Sequence, residues 1–132
     1  MPRFRPLATS LLTILTLALP ACEGNVFLLA ANGTLLVGVV SRGPIEPVCR
    51  VGVPCDAPFA AGFTVTRDGR PVAAFRSGSD GRFRVELPEG GSYRVVPDAD
   101  APLLAPGAQA REVTVQAGVV NEVELAFDTG IR

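Results

Sequence analysis

The sequence contains no histidine, no lysine and no tryptophan, and it has a single tyrosine. Without histidine or lysine, a serine nucleophile lacks a conventional base, and Schiff-base chemistry lacks its amine. Zinc would also lose its usual nitrogen ligand. The missing tryptophan removes the flat aromatic platform that is typical of sugar-binding sandwiches. These absences predict a protein that is not an enzyme and that carries no metal or other cofactor.

Positive charge is also scarce. From Cys22 onward the chain has thirteen acids against ten arginines, and neither sign is clustered along the sequence. A nucleic-acid-binding domain needs a concentrated basic face to neutralise phosphates. We therefore predict no nucleic-acid partner.

The one long apolar run lies at the N-terminus. Met1 to Ser10 carry two arginines and no acid, and Leu11 to Pro20 are almost entirely apolar. A membrane-spanning helix needs about 20 apolar residues, which is roughly twice this length. A short cationic start, an apolar stretch and then small residues are typical of a secretory signal, so residues 1–21 are predicted to be a signal peptide.

The end of that segment, "LPAC" at Leu19 to Cys22, resembles the lipobox of bacterial lipoproteins. The resemblance implies that Cys22 becomes the lipid-bearing first residue of the mature chain. The expected location is then the bacterial cell envelope, at the outer membrane or the cell surface, with the protein bound to the membrane through its lipid. Ordinary cleavage followed by release of the chain is the alternative.

The cysteine count fits this interpretation. An exported chain with three cysteines leaves one thiol unpaired. If Cys22 carries lipid, Cys49 and Cys55 remain as an even pair, and an oxidising compartment favours a disulfide between them. A loop this short gains about 2 kcal/mol in the chain-entropy model, so the bond would restrain a loop rather than hold the fold.

The remainder of the chain has the pattern of an all-β domain. Residues 22–33 are a tether or a first strand, and residues 34–132 form the predicted domain. Apolar residues alternate with polar ones in short segments such as "RFRVEL", Arg82 to Leu87, and Asp68-Gly69 is a preferred hairpin turn. A proline-rich loop, Gly43 to Ala61, interrupts the series. The pattern predicts an antiparallel β-sandwich of seven strands, prealbumin-like or immunoglobulin-like, following the signal peptide.

One stretch, "GRPVAAFRSGSDGRFRVELPEGGSYRVV", carries a family resemblance. Its "SDGRF" turn and "LPEGGSY" segment are similar to those of the carboxypeptidase regulatory-like domain, which is related to the transthyretin or prealbumin-like sandwich. The family's turn is longer, and this chain has one residue extra before its tyrosine. The resemblance covers about Leu36 to Phe127 and implies a sandwich that serves as an accessory module. Transthyretin-like hydrolases use histidines and an arginine, so their chemistry is not expected here.

Four residues are candidates for structural or binding roles. Tyr93 is interpreted as a corner tyrosine, with a buried ring and a hydroxyl bonded to nearby backbone. Phe59, Asp98 and Asp100 lie in loops and are candidate ligand contacts. A calcium site that combines Asp80 with these two aspartates is conceivable, but the spacing matches no loop motif and solvated turns are favoured.

The predicted function is that of a non-catalytic cell-envelope lipoprotein module with a structural, adhesion or protein-interaction role. The alternative is a small-molecule or glycan-binding module that uses the loops Cys49 to Cys55 and Asp98 to Pro106. A hydrolase of the transthyretin-like type is the third possibility. An envelope protein or a glycan is the corresponding partner.

Overall fold

The computed structural model describes residues 33–132. The predicted signal peptide, Cys22, and all but residue 33 of the tether or strand predicted for residues 22–33 lie outside the described residues. No helix among those described is long and apolar enough to cross a bilayer. Within residues 33–132 the structure is all-β apart from one 3-10 turn, Pro106–Ala108.

Eight strands form two sheets that pack face to face, which confirms the predicted β-sandwich. The strands are β1 (Leu35–Gly43), β2 (Ala57–Pro58), β3 (Gly62–Arg67), β4 (Arg70–Arg76), β5 (Arg82–Glu86), β6 (Gly91–Pro97), β7 (Arg111–Val115) and β8 (Val120–Asp128). In the front sheet, β1 pairs with β8 on one side and with β5 and β2 on the other. The back sheet has the order β4-β3-β6-β7.

The predicted count of seven strands is wrong by one, because a strand lies inside the loop that was predicted to have none. Residues Ala57–Pro58 pair with Ser41 and Arg42 at the end of β1. A two-residue strand is too short to show any alternation, and Pro58 is tolerated because it sits on an edge strand.

The predicted antiparallel arrangement needs correction at one ladder. β1 and β8 run parallel along their whole length, from Leu35 opposite Val120 to Gly43 opposite Asp128. The other ladders are antiparallel. Alternation specifies which face of a strand is buried, but it is the same in either direction of the chain, so it does not encode this pairing.

The inward register follows the sequence pattern. In the segment around β5, Phe83, Val85 and Leu87 are buried while the residues between them are exposed, as the alternation predicts. The core then joins the two sheets through aromatic rings. The ring of Phe63 lies 5.0 Å from that of Phe75 and 5.5 Å from that of Phe127. Rings at these separations add to the apolar area that they bury.

The two ends of the sandwich differ in their connections. At the end that we call the turn end, β1 begins and the chain makes short reversals at residues 68–69, 87–90 and 116–119. At the other end, the loop end, β1 finishes and the long segments 44–61 and 98–110 gather with residues 77–81 and 129–132. Nine residues of β1 separate the two ends by about 30 Å.

Candidate functional site

The most prominent feature of the loop end is a loop closed by a disulfide. Cys49 and Cys55 are bonded to each other, as predicted. The backbone N–H of Ile45 donates to the carbonyl of Cys55 at 2.8 Å, and a turn within the ring joins Val53 to Arg50 at 3.1 Å. The covalent bond and these hydrogen bonds restrain a segment that carries no regular secondary structure.

The tip of this closed loop carries two apolar side chains that face solvent. Val51 is fully exposed and Val53 is 56% exposed, while Val48, just before the ring, is 72% exposed. Gly52 lies between two of them with a φ of 79°, so the backbone reverses there in a conformation that suits glycine. Single exposed apolar residues are ordinary, but here two lie close together in sequence on one restrained loop, beside the exposed Arg50.

A buried serine holds the base of the same segment against the back sheet. The hydroxyl of Ser77 donates to the carbonyl of Phe59 at 2.8 Å and accepts from the N–H of Ala61 at 3.0 Å. Ser77 is 3% exposed, so these backbone groups would have no water partner without it. The serine therefore has a structural role that its turn position in the sequence did not reveal.

The structure does not support Phe59 as an exposed ligand contact. Its ring is 6% exposed and lies 6.3 Å from the Phe63 ring in an edge-to-face arrangement. The guanidinium of Arg42 covers it at 5.2 Å. The short strand β2 directs the following residue inward, where the ring fills the core at the loop end.

A groove lies on the outer side of the back sheet, beside segment 98–110. Its volume is about 640 Å³, and its walls are mostly small apolar residues of segment 105–108 and the end of β6. Thr64 and Asp98 provide its polar groups, and the Thr64 hydroxyl donates to Oδ1 of Asp98 at 3.1 Å. A concave apolar surface with one carboxylate can accept a small ligand that carries a donor.

The structure separates the two predicted aspartates. Asp98 lines the groove, whereas Asp100 is exposed and does not line it. No group of three or more histidine, cysteine or acidic side chains able to hold a metal occurs among residues 33–132.

Tyr93 lies at the turn end, away from these loops. Its ring is 1% exposed, and its hydroxyl donates to the carbonyl of Glu89 at 2.6 Å, four residues upstream. The guanidinium of Arg67 lies 5.2 Å above the ring and donates to the Glu89 carboxylate at 2.8 Å. This is the geometry of a corner tyrosine, and it fixes the reversal between β5 and β6.

One pKa in the described chain is strongly displaced, and it belongs to the loop end. The Arg132 guanidinium donates to the Asp128 carboxylate, the N–H of Gly130 donates to the same group, and together they lower the pKa of Asp128 to about 2. The pair connects the last residues of the chain to the end of β8.

Sequence reasoning missed Arg42. It lies at the loop end of β1, in the same inward register as Leu36 and Val40, and its Nε is buried without an acceptor among residues 33–132. The alternation of Leu36 and Val40 places it inward when it is continued by one more step along β1.

No family model matches the chain, and no curated protein matches it. Among solved structures it is similar to a DUF3823 family protein from Parabacteroides merdae, with 21% identity over 71% of this chain and a TM-score of 0.49. A DUF3823 family protein from Bacteroides ovatus shows 20% identity over 68% of this chain and a TM-score of 0.44. The chain spans 45% and 42% of the lengths of these two proteins. The resemblance to carboxypeptidase regulatory-like domains stays a prediction.

Proposed function

We propose that this protein is a non-catalytic cell-envelope lipoprotein whose loop end contacts a partner protein. The observation that carries the proposal is that the chain enters the domain at one end of the sandwich and the disulfide-closed loop lies at the other. The chain enters the domain at Gly33, which lies beside Gly118 at the turn end. The restrained apolar loop is at the opposite end of β1.

A lipid on Cys22 would therefore attach the domain by its turn end. The lipobox-like sequence supports such an anchor, and eleven residues separate Cys22 from the start of the domain at Thr34. With the turn end facing the membrane, segments 44–61 and 98–110 point away from it. This orientation suits structural, adhesion or protein-interaction roles, in which a module presents its loops to another molecule.

The composition supports a role without catalysis. The chain has no histidine or lysine to act as a base. The buried serine of the loop end, Ser77, uses its hydroxyl to bond backbone groups on both sides. The Asp98 carboxylate accepts a hydrogen bond from the Thr64 hydroxyl, so its partner is a hydroxyl and not a second acid.

The anchor is tested by metabolic labelling with a palmitate analogue. We expect wild-type protein to be labelled and Cys22→Ser to lose the label. The double variant Cys49→Ser/Cys55→Ser is the matched control and should label like wild type, because its cysteines belong to the disulfide. Labelling of Cys22→Ser at the wild-type level would overturn the anchor.

The contact surface is tested separately by photo-crosslinking on intact cells. A benzoylphenylalanine replaces Val51 at the loop tip or, as the control, Arg70, which is exposed near the Asp68-Gly69 turn. We expect discrete adducts from position 51 that disappear in the Cys49→Ser/Cys55→Ser background, and none of the same mass from position 70. Identical adducts from both positions, or none from position 51, would contradict a contact at the loop end.

The groove beside Asp98 favours a second candidate function, the binding of a small molecule or glycan. A glycan array and a thermal-shift screen of small amines and alcohols would detect it. Ligands of this groove should lose affinity in Asp98→Asn and Thr64→Val and keep it in Asp100→Asn, since Asp100 lies outside the lining. A screen without hits, or hits insensitive to Asp98→Asn, would reject ligand binding in this groove. The contact with a partner protein would then be the one remaining candidate function.

A further inference from the structure

Arg42 occupies an unusual position for a charged residue. It follows Leu36 and Val40 on the inward face of β1, where the sandwich core opens toward the loop end. Its guanidinium lies 5.2 Å above the ring of Phe59, and its Nε is fully buried. Arg42 as a whole is half-buried, but burying an N–H group of its guanidinium costs free energy unless an acceptor or an anion compensates it.

The protein provides little of that compensation. Nη1 of Arg42 donates to the carbonyl of Pro102 at 3.3 Å, and Nε has no acceptor among residues 33–132. The ion pairs of the described chain join Arg67 to Glu89, Arg82 to Asp80 and Arg132 to Asp128. Arg42 takes part in none of them.

Two other arginines show what compensation looks like in this fold. Three arginines lie over aromatic rings at similar distances, between 5.0 and 5.2 Å. Arg67 has a carboxylate at 2.8 Å together with a carbonyl and a hydroxyl. Arg111 donates to three carbonyl oxygens. Arg42 makes the same ring contact but donates to a single carbonyl oxygen, that of Pro102. Its other N–H groups are therefore available to a ligand.

A cleft opens next to this guanidinium. Its volume is about 170 Å³, and it is lined by Arg42, Ile45, Pro102, Thr129 and Ile131. The Thr129 hydroxyl is already committed, because it donates to the carbonyl of Pro44 at 2.6 Å and accepts from the N–H of Ile131. The remaining walls are apolar, so the cleft offers one cation and a hydrocarbon surface.

We propose that this cleft binds a carboxylate attached to a short apolar group. The carboxylate would accept from the free N–H groups of Arg42, whose planar fork suits that geometry. The hydrocarbon would lie on Ile45, Pro102 and Ile131. At about 30 Å³ per water, the volume corresponds to only five or six waters, so the bound group is small.

Two sources offer this chemistry, a free branched-chain carboxylic acid and the C-terminal carboxylate of a peptide that ends in an apolar residue. The inference is independent of the lipid anchor and of the groove beside Asp98. It depends only on the uncompensated guanidinium and the cleft beside it.

The test is a titration of the full-length chain in a non-ionic detergent. The NMR resonance of the Arg42 Nε–H group reports the binding. The probes are isovalerate, its neutral counterpart isoamyl alcohol, and N-acetyl-glycyl-valine for the peptide source. We expect saturable shifts with isovalerate in the millimolar range that is usual for so small a ligand, and none with the alcohol. Tighter binding of the peptide than of isovalerate would assign the peptide source, and the reverse would assign the free acid.

Variants separate this site from general attraction between charges. Arg42→Lys keeps the charge but not the planar fork, so we expect at least about a tenfold loss of affinity. Arg84→Met removes an exposed arginine of β5 and should leave the affinity unchanged. Equal losses in Arg42→Lys and Arg84→Met, or wild-type shifts that the alcohol reproduces, would overturn the proposal. So would the lack of any saturable shift in the wild-type protein, which does not depend on how well a variant folds.

Discussion

The two ends of this sandwich are connected differently: one by short turns and the other by long irregular segments. At the turn end, short reversals carry the structure, and one side chain, Tyr93, bonds to the backbone four residues before it. Contacts over long sequence separations occur there too, since the Thr34 hydroxyl accepts from the N–H of Gly118 across 84 residues. The loop end differs in having long irregular segments, which are held at their bases by side chains. Ser77 reaches Phe59, and Thr129 reaches Pro44 across 85 residues.

The difference shows which part of this fold can change in sequence without disturbing the sheets. A tight turn has little freedom, because its backbone angles and its glycines are fixed by the strands that it joins. A long loop can change its tip as long as its base stays bonded. In this chain the base of segment 44–61 is held by Ser77 and β2, and the tip carries exposed valines inside a disulfide ring.

The largest expected effect on stability comes from a comparison of two glycines with the same φ angle. Gly81 at the loop end and Gly69 at the turn end both have a φ of 76°. A Cβ on Gly81 would collide with the carbonyl oxygen of Val40, whereas nothing lies within 4 Å of a Cβ on Gly69. We expect Gly81→Ala to lower the free energy of unfolding by about 3 kcal/mol or more, from the clash and the left-handed backbone together.

Gly69→Ala is the control, and it should cost only about 1 kcal/mol because it adds backbone strain without a clash. Urea unfolding of both variants measures the difference. Equal losses would mean that the Val40 carbonyl moves aside and that the loop end is less rigid than its contacts indicate.

The next effect compares two hydroxyls. Ser77→Ala leaves the carbonyl of Phe59 and the N–H of Ala61 unbonded in a buried site, and we expect a loss of about 2 to 3 kcal/mol in the free energy of unfolding. Tyr93→Phe removes the bond to the Glu89 carbonyl and the longer bond accepted from Arg67, both only partly buried, and should cost about 1 kcal/mol. Chemical denaturation with both variants decides the order, and a reversed order would make the tyrosine the more important support.

Removing the disulfide should affect one end only. The double variant Cys49→Ser/Cys55→Ser is expected to lose no more than about 2 kcal/mol of stability, since the closed loop is short. Hydrogen exchange should become faster in residues 45–56 and stay unchanged in residues 87–94, which lie at the turn end. Faster exchange at both ends would show that the loop supports the whole fold.

The smallest effect is a pH dependence at the C-terminal corner of the loop end. The pKa of Asp128 lies at about 2 instead of its ordinary 3.8 because Arg132 and Gly130 bond the charged form. The stabilisation is therefore fully present above pH 3.8 and is lost as the pH falls through about 2.

An NMR titration of the Asp128 carboxyl carbon checks this. Arg132→Ala should move its midpoint up toward the ordinary value, because the largest cause of the shift is then removed. Amide shifts of residues 116–119, a turn without acids, serve as the reference from the other end. A midpoint near 3.8 in the wild-type protein would show that the pair does not form in solution.

Local patterns in the sequence were sufficient for the core and for the disulfide. The alternation in "RFRVEL" correctly predicted which of its residues are buried, because each strand must place one face against the other sheet. Loop residues were harder to interpret. Phe59 follows a proline in a loop without a pattern, and only its distant contacts with Arg42 and Phe63 show that it belongs to the core.

The candidate sites depend on contacts of the same distant kind. Asp98 was identified from its loop, but its bond to Thr64 joins residues 34 positions apart. The cleft at Arg42 combines β1 with Pro102 and the last residues of the chain. Neither arrangement has a local signal, since both depend on how the loops meet after the sheets have formed.

The parallel ladder between β1 and β8 has a consequence for the order of folding. Among residues 33–132, β1 is the first strand and is central in its sheet, yet the partner along its whole length is the last strand, β8. A chain that emerges N-terminus first therefore holds β1 open on one side until β8 has been made. Pairing strands so far apart in sequence slows folding, because the loop between them must close before their contacts stabilise the fold.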